Sequence, residues 1–160
     1  MARYFIDTEF MEAGPREPVS LISIGIAADD GRTYYAENAE ARLERANPWV
    51  KGNVIPFLRG PKKTRREIAD EIRIFVSDAA PEFWGYFADY DWVVFCQLFG
   101  TMMDLPAHFP QFCMDLQQVA VSRRVPRDSF VPAKAEREHD ALADAIWHRD
   151  LYRFLVGEVT

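Results

Sequence analysis

Cysteine is scarce in this chain, with two residues among 160, Cys96 and Cys113. They lack zinc-site spacing and stand in apolar surroundings, which excludes a zinc module or a disulfide scaffold. Two buried thiols in a reducing compartment, the cytoplasm, fit instead. A basic excess is also missing. Lys and Arg number 19 against 25 Asp and Glu, for a net charge of −6, which argues against a passive nucleic-acid binder though not against a protein whose acids hold cations. No apolar run is long enough to span a membrane. The opening MARYFIDTEF carries acids where a secretory segment would be purely apolar, so no signal peptide is expected. Internal repeats and low-complexity tracts are absent.

What is present is a rich apolar content, 49% overall with 14% aromatic, enough for one globular domain over residues 1–160. RYFIDTEF alternates, with Phe5, Asp7 and Glu9 on one face of a strand. VSLISIGIAA predicts a second strand, Asp29-Asp30-Gly31 a hairpin turn, and TYYA its return. Residues 39–60 look helical but interrupted by Pro48 and Pro56. Thr64-Arg65-Arg66-Glu67 is a capping box ahead of a helical stripe of Ile68, Ile72, Phe75 and Val76. FWGYF predicts a buried strand, residues 90–99 a helix closed by Gly100, and QFCMDL a strand leading into a short helix capped by Asp115. A charged, Pro-containing loop, residues 124–138, precedes a last helix from about 140 to 156. Three early strands followed by alternating helices and strands predict an α/β fold, a mixed five-stranded sheet flanked by helices on both faces.

The acids fall unexpectedly within this pattern. In the last helix Ala141, Asp144, Trp147, Leu151, Phe154 and Leu155 form one stripe, so Asp144 points inward. In residues 90–99, Asp91 heads a stripe with Val94, Phe95, Leu98 and Phe99. Each acid alone has a plain account, such as a helix dipole or an arginine partner. Together, four inward carboxylates from three elements would repel one another or hold protons unless compensated. Two divalent cations would cancel them, and an oxygen-only set selects Mg²⁺ or Mn²⁺ over zinc. His139 lies five residues before Asp144, about 140° around a helix axis. It therefore belongs on the entering loop, with Asp140 as N-cap, where its imidazole can act as a general base. His108 and His148 receive no role, His148 being expected to pack near Trp147. Basic residues cluster at Arg59, Lys62, Lys63, Arg65 and Arg66 and at Arg123, Arg124 and Arg127, as solvated faces or phosphate contacts.

These residues resemble the histidine-containing DEDD branch of 3′–5′ exonucleases: D-x-E at Asp7-Thr8-Glu9, an Asp after an aromatic at Tyr90-Asp91, and H-x4-D at His139 and Asp144. The motifs occur in order across nearly the whole chain. Within the branch, YFIDTEF, LISIGIAADDGRTYYA, YDWVVFCQLFG and HDALADA are similar to mycobacterial polyadenylate-specific exoribonucleases. The resemblance implies a ribonuclease-H-like fold, two Mg²⁺ ions, a homodimer, and removal of nucleotides from RNA 3′ ends with a leaning to adenosine. One departure is Phe87, where many members carry Asn four residues before the second-motif Asp.

On that reading Asp7, Glu9 and Asp144 hold one ion, Asp7 bridges to the second, Asp91 holds the second through water, and His139 takes the proton of the attacking water. The product is a nucleoside 5′-monophosphate. Phe10, Met11, Phe87 and Trp92 are candidates to stack single-stranded bases. Three alternatives remain open: the same chemistry on DNA, a non-catalytic RNA-binding module, and a metal-free hydrolase using Asp7 and Glu9.

Overall fold

The computed structural model describes residues 2–130 and 138–158. A six-stranded mixed sheet in the order β4-β3-β2-β1-β5-β6 forms its centre. β1 (Arg3–Met11), β2 (Ser20–Ala28) and β3 (Thr33–Asn38) are an antiparallel meander. Gly31 closes the β2–β3 turn at φ 92°, a conformation that disfavours a side chain. β5 (Glu82–Gly85) pairs parallel to β1, β6 (Met114–Asp115) parallel to β5, and β4 (Lys62–Lys63) parallel to β3. The α/β class is as the pattern predicts, with one strand beyond the five expected. The unforeseen strand is β4, two lysines at the sheet edge. It is too short to show a period, and charge is what an edge strand favours.

Among the described residues five α-helices accompany the sheet: α1 (Pro48–Asn53), α2 (Arg65–Phe75), α3 (Asp89–Phe99), α4 (Leu116–Ser122) and α5 (Ala141–Val156). Pro48 does not interrupt a helix as expected but opens α1, behind Asn47, whose side chain accepts from Val50 N at 2.9 Å. The missing N–H of proline is harmless at a first helical position. Thr64 and Glu67 form the expected capping box. Asp115 caps α4, accepting from Gln118 N at 3.0 Å and from Ala88 N at 2.8 Å. That leaves Asp115 a structural acid. Of the loop at residues 124–138, positions 131–137 lie outside the described residues.

The period-2 pattern of β1 divides the core. Tyr4 and Ile6 join Ile24, Ile26, Ile68, Ile72, Val94 and Phe95 beneath α2 and α3. Phe5 joins Ala27, Trp84, Leu116, Trp147 and Leu151 beneath α4 and α5. Asp7 and Glu9 continue the second face toward the strand end. The α5 stripe needs one correction: Phe154 is exposed, and His148 is buried instead. Relative to Asp144, position 148 lies ~40° around the axis and position 154 ~80° the other way, so the stripe centred on Asp144 includes His148. Among the described residues no helix is long and apolar enough to cross a membrane. Both cysteines are free thiols.

Candidate active site

The site is assembled where β1, α3 and α5 meet. Asp7 and Glu9 project from one face of β1, Asp144 from the first turn of α5, and Asp91 from the first turn of α3. Asp7, Glu9 and Asp144 each bring a carboxylate oxygen within 4.8 Å of the others. Asp91 lines the same cleft outside that tight trio. Its Oδ1 accepts from Thr8 N at 2.8 Å and from Thr8 Oγ1 at 2.5 Å. Thr8, on the opposite face of β1 from its two acidic neighbours, thus ties the α3 carboxylate to the strand.

Close packing makes this convergence possible. Gly25 is the cross-strand partner of Asp7, and a Cβ there would stand 2.2 Å from the Ala141 carbonyl oxygen and 2.5 Å from Leu142 Cα. The start of α5 therefore rests directly on β2, which brings Asp144 down to the carboxylates of β1. His139 sits on the entering loop, as its spacing requires, and Asp140 is the N-cap, its side chain accepting from Leu142 N at 3.1 Å and Ala143 N at 3.3 Å. His139 adopts φ 69°, and its own N–H donates to Asp144 Oδ2 at 2.9 Å. Its Nδ1 stands 4.0 Å from Glu9 Oε1.

Three converging carboxylates repel strongly in a half-enclosed cleft. The donor set is oxygen only, as a hard divalent cation requires, so Asp7, Glu9 and Asp144 could hold a metal ion. Burial pushes the Asp91 carboxyl up to about 6, against the hydrogen bonds from Thr8. The folded carboxyl then keeps its proton more tightly than the unfolded one at 3.8, so the native state binds more protons between these values. The Asp91 contribution to the stability of the metal-free protein falls as pH rises from about 4 to about 6 and stays reduced above. Asp91→Asn retains an acceptor for Thr8. It is expected to raise the metal-free melting temperature by several degrees at pH 7 and hardly at all at pH 4. Differential scanning fluorimetry in EDTA at both pH values checks this.

The cleft holds about 370 Å³ and is lined by these acids together with Thr8, Phe10, Trp49, Tyr86, Phe87, Tyr90, Arg127, His139 and His148. Of the expected base-stacking residues, Phe10 and Phe87 are present. Phe10 stacks on Tyr90 with centroids 5.5 Å apart. Phe87 is 55% exposed. Met11 lines a neighbouring cleft with Glu12 and Arg42. Trp92 does not reach the site: its ring stacks at 5.1 Å on Phe95 and packs on Phe83 in the α3 core. One step beyond Asp91 turns a helical side chain ~100°, here toward Phe95 one turn on.

Several lining residues were not foreseen. His148 had a signal, since it follows Asp144 by one helical turn. Its Nδ1 is 2.8 Å from the Ile6 carbonyl oxygen and its Nε2 3.7 Å from Asp7 Oδ1. A carbonyl only accepts, so Nδ1 carries the hydrogen, and the ring is aimed at Asp7. Trp49 had no signal; α1 holds its ring edge-on to His139 at 4.7 Å, 53% exposed. Arg127 comes from the second basic cluster. Most of the first cluster is engaged elsewhere, Arg59 with Asp140, Lys63 with Glu71 and Arg65 with the Gln97 carbonyl.

Phe87 has φ 55°, a region where asparagine is at ease and a bulky side chain is strained. Phe87→Asn is expected to stabilise the fold by about 1 kcal/mol. Urea denaturation checks the sign.

Fold and site together define a mixed α/β architecture with an acidic cleft able to hold a metal ion. The same fold occurs in Escherichia coli exonuclease I, in its zinc-bound complex with single-stranded DNA (TM-score 0.70, 13% identity, 98% of this chain and 40% of that one). It occurs again in exonuclease I of Methylocaldum szegediense (TM-score 0.66, 16% identity, 96% of this chain and 40% of that one). The chain thus spans about two fifths of these exonuclease I chains. The chain belongs to the Rv2179c-like 3′–5′ exoribonuclease domain family, whose model matches residues 2–156. It is 40% identical over 151 residues to the 3′–5′ exoribonuclease Rv2179c of Mycobacterium tuberculosis, covering 89% of this chain and 86% of that protein.

Proposed function

We propose that this protein, acting as one domain, is a metal-dependent 3′–5′ exoribonuclease that releases nucleoside 5′-monophosphates from the 3′ ends of single-stranded RNA, preferring adenosine-rich tails. The observation that carries the reading is the convergence of Asp7, Glu9 and Asp144 beside His139 in an open cleft, in a chain of this family.

Asp7, Glu9 and Asp144 would hold Mg²⁺, with Mn²⁺ able to replace it. Asp7 and Asp91 would face a second ion, and such a pair supplies water activation and charge neutralisation at the departing 3′ oxygen. His139 accepts the attacking water's proton on Nε2, the nitrogen not turned to Glu9. Thr8 fixes the Asp91 carboxylate, so that acid need not reorganise during reaction. Phe10 and Phe87, joined by exposed Trp49 and Tyr90, offer rings to unstacked bases, and Arg127 offers a guanidinium to a phosphate. Phe87→Ala and Trp49→Ala should each raise KM for RNA by roughly five- to a hundredfold, the ~1–3 kcal/mol of a base–aromatic stack. Initial rates on labelled oligomers measure this.

Cytoplasmic location is supported by the free thiols Cys96 and Cys113. The homodimer is supported by an apolar groove of Pro81, Phe112 and Met114 beside the short edge strand β6, and light scattering tests it. The function as a whole is tested by digesting 5′-labelled RNA homopolymers in Mg²⁺ and in EDTA, with DNA oligomers as competitors. Stepwise shortening from the 3′ end in Mg²⁺ alone, fastest on oligo(A), is expected. Full activity in EDTA, or DNA degraded in preference to RNA, would overturn the reading.

A further inference from the structure

We infer that Arg59, some eighty positions from His139 in the chain, is a positioning residue for the His139 imidazole, acting through the Asp140 carboxylate. The inference rests on the proposed role of His139 and extends it to the residue that keeps that side chain in place.

Arg59 lies between α1 and β4, and its backbone is pinned first. Its N–H and that of Gly60 both donate to Glu37 Oε1, which also accepts from the Tyr35 hydroxyl at 3.0 Å. Glu37 is buried on β3, and Ser23 joins it in register to Glu9 of the acidic trio. The guanidinium then lies 5.0 Å over the Tyr35 ring and forks onto Asp140, Nη1 to Oδ2 and Nη2 to Oδ1, the latter at 3.1 Å. The Asp140 side chain is 1% exposed, so this charge-assisted pair is well shielded on the acid's side.

Asp140 already has a task, as its Oδ1 caps α5. An Asn would cap equally well, so capping alone does not call for a buried charge with a forked guanidinium. What needs holding is the residue before it. His139 stands at φ 69°, a conformation uncommon for any residue but glycine even though histidine tolerates it better than most, so its neighbours fix where the ring points. Its N–H is held by Asp144 Oδ2, its ring edge meets Trp49, and the next residue is clamped by Arg59. Both guanidinium ends are committed to Asp140, which sets Arg59 apart from the RNA phosphate contacts that its basic cluster invites.

The test compares Arg59→Gln, Arg59→Lys and Asp140→Asn in the full chain. Arg59→Gln and Asp140→Asn should each lower kcat on oligo(A) about 10–100-fold, the scale of an ångström's misplacement at a reacting centre. KM should change less, and the double variant should be no worse than either single one. Arg59→Lys should fall between, because an ammonium cannot fork onto two oxygens. In a His139→Gln background, Arg59→Gln should cost no more than about twofold, since it acts through an imidazole no longer present. In the metal-free protein the His139 ring should give a single, sharp NMR resonance in the wild type and a broadened or split one in both variants. This arm reads the clamp even if His139→Gln proves fully active, a result that would sink the general-base reading alone. A loss falling on KM with a salt dependence, an additive double variant, an equal loss without His139, or an unchanged ring resonance would each overturn the inference.

Discussion

Asp144→Asn is expected to reduce RNA hydrolysis by at least 10²–10³-fold, a loss of ~3–4 kcal/mol of transition-state stabilisation, while the protein stays folded. The substitution is almost isosteric. An asparagine Oδ1 can still accept from the His139 N–H, the 2.9 Å bond that ties the loop to α5, and the Asp140 cap is untouched. What disappears is one of the three negative charges gathered within 4.8 Å. Repulsion within the metal-free site then falls, so the variant should melt no lower than the wild type in EDTA, and higher if the trio is strained at neutral pH. In Mn²⁺ the order should reverse, because a ligand that binds only the folded state stabilises it in proportion to affinity, and the variant binds more weakly. Single-turnover digestion, calorimetric Mn²⁺ titration and paired melts with and without metal check the three parts. A variant inactive yet unaltered in Mn²⁺ binding would mean that Asp144 serves the reaction without holding an ion.

Gly25→Ala is the second large effect and acts by a different route. A methyl group at this position would meet the Ala141 carbonyl oxygen at 2.2 Å and carbon at 2.3 Å, and Leu142 Cα at 2.5 Å. All are backbone atoms and cannot rotate away, so α5 must lift off β2 or the strand must buckle. Overpacking against backbone is expected to destabilise by ~3 kcal/mol or more. Activity should fall further than stability explains. Asp144 and His139 ride on the displaced helix end while Asp7 stays opposite Gly25 in the β1–β2 ladder, and separations on the scale of an ångström decide the chemistry. Urea denaturation gives the first quantity, and turnover well below the melting temperature gives the second. A Gly25→Ala protein that melts within about 2 °C of the wild type and cleaves normally would show that the close approach is dispensable.

The site was partly legible because its carboxylates break local rules. An acid at a core position of a strand or helix stands out against a period of two or 3.6 residues, as Asp7, Asp91 and Asp144 do. Caps are equally local: Thr64 with Glu67, and Asp140 before α5, are set by atoms two or three residues apart. Trp92 shows the limit of such reasoning. Its neighbourhood in sequence placed it near Asp91, but the helical turn carried its ring into the α3 core against Phe95. Phe87 could be identified as a departure, yet its left-handed backbone could not.

The chain alone determined most of the elements and their sidedness: which face of β1 carries Asp7 and Glu9, that Asp144 lies in the buried stripe of α5, and that His139 precedes the helix rather than joining it. Those outcomes follow from interactions spanning a few residues. Tertiary structure alone decided that α5 could settle on Gly25, that His148 would face Asp7, that Trp49 would border His139 and that Arg59 would clamp Asp140. Each depends on groups far apart in the chain meeting at a few ångströms, and no local period or propensity encodes that distance.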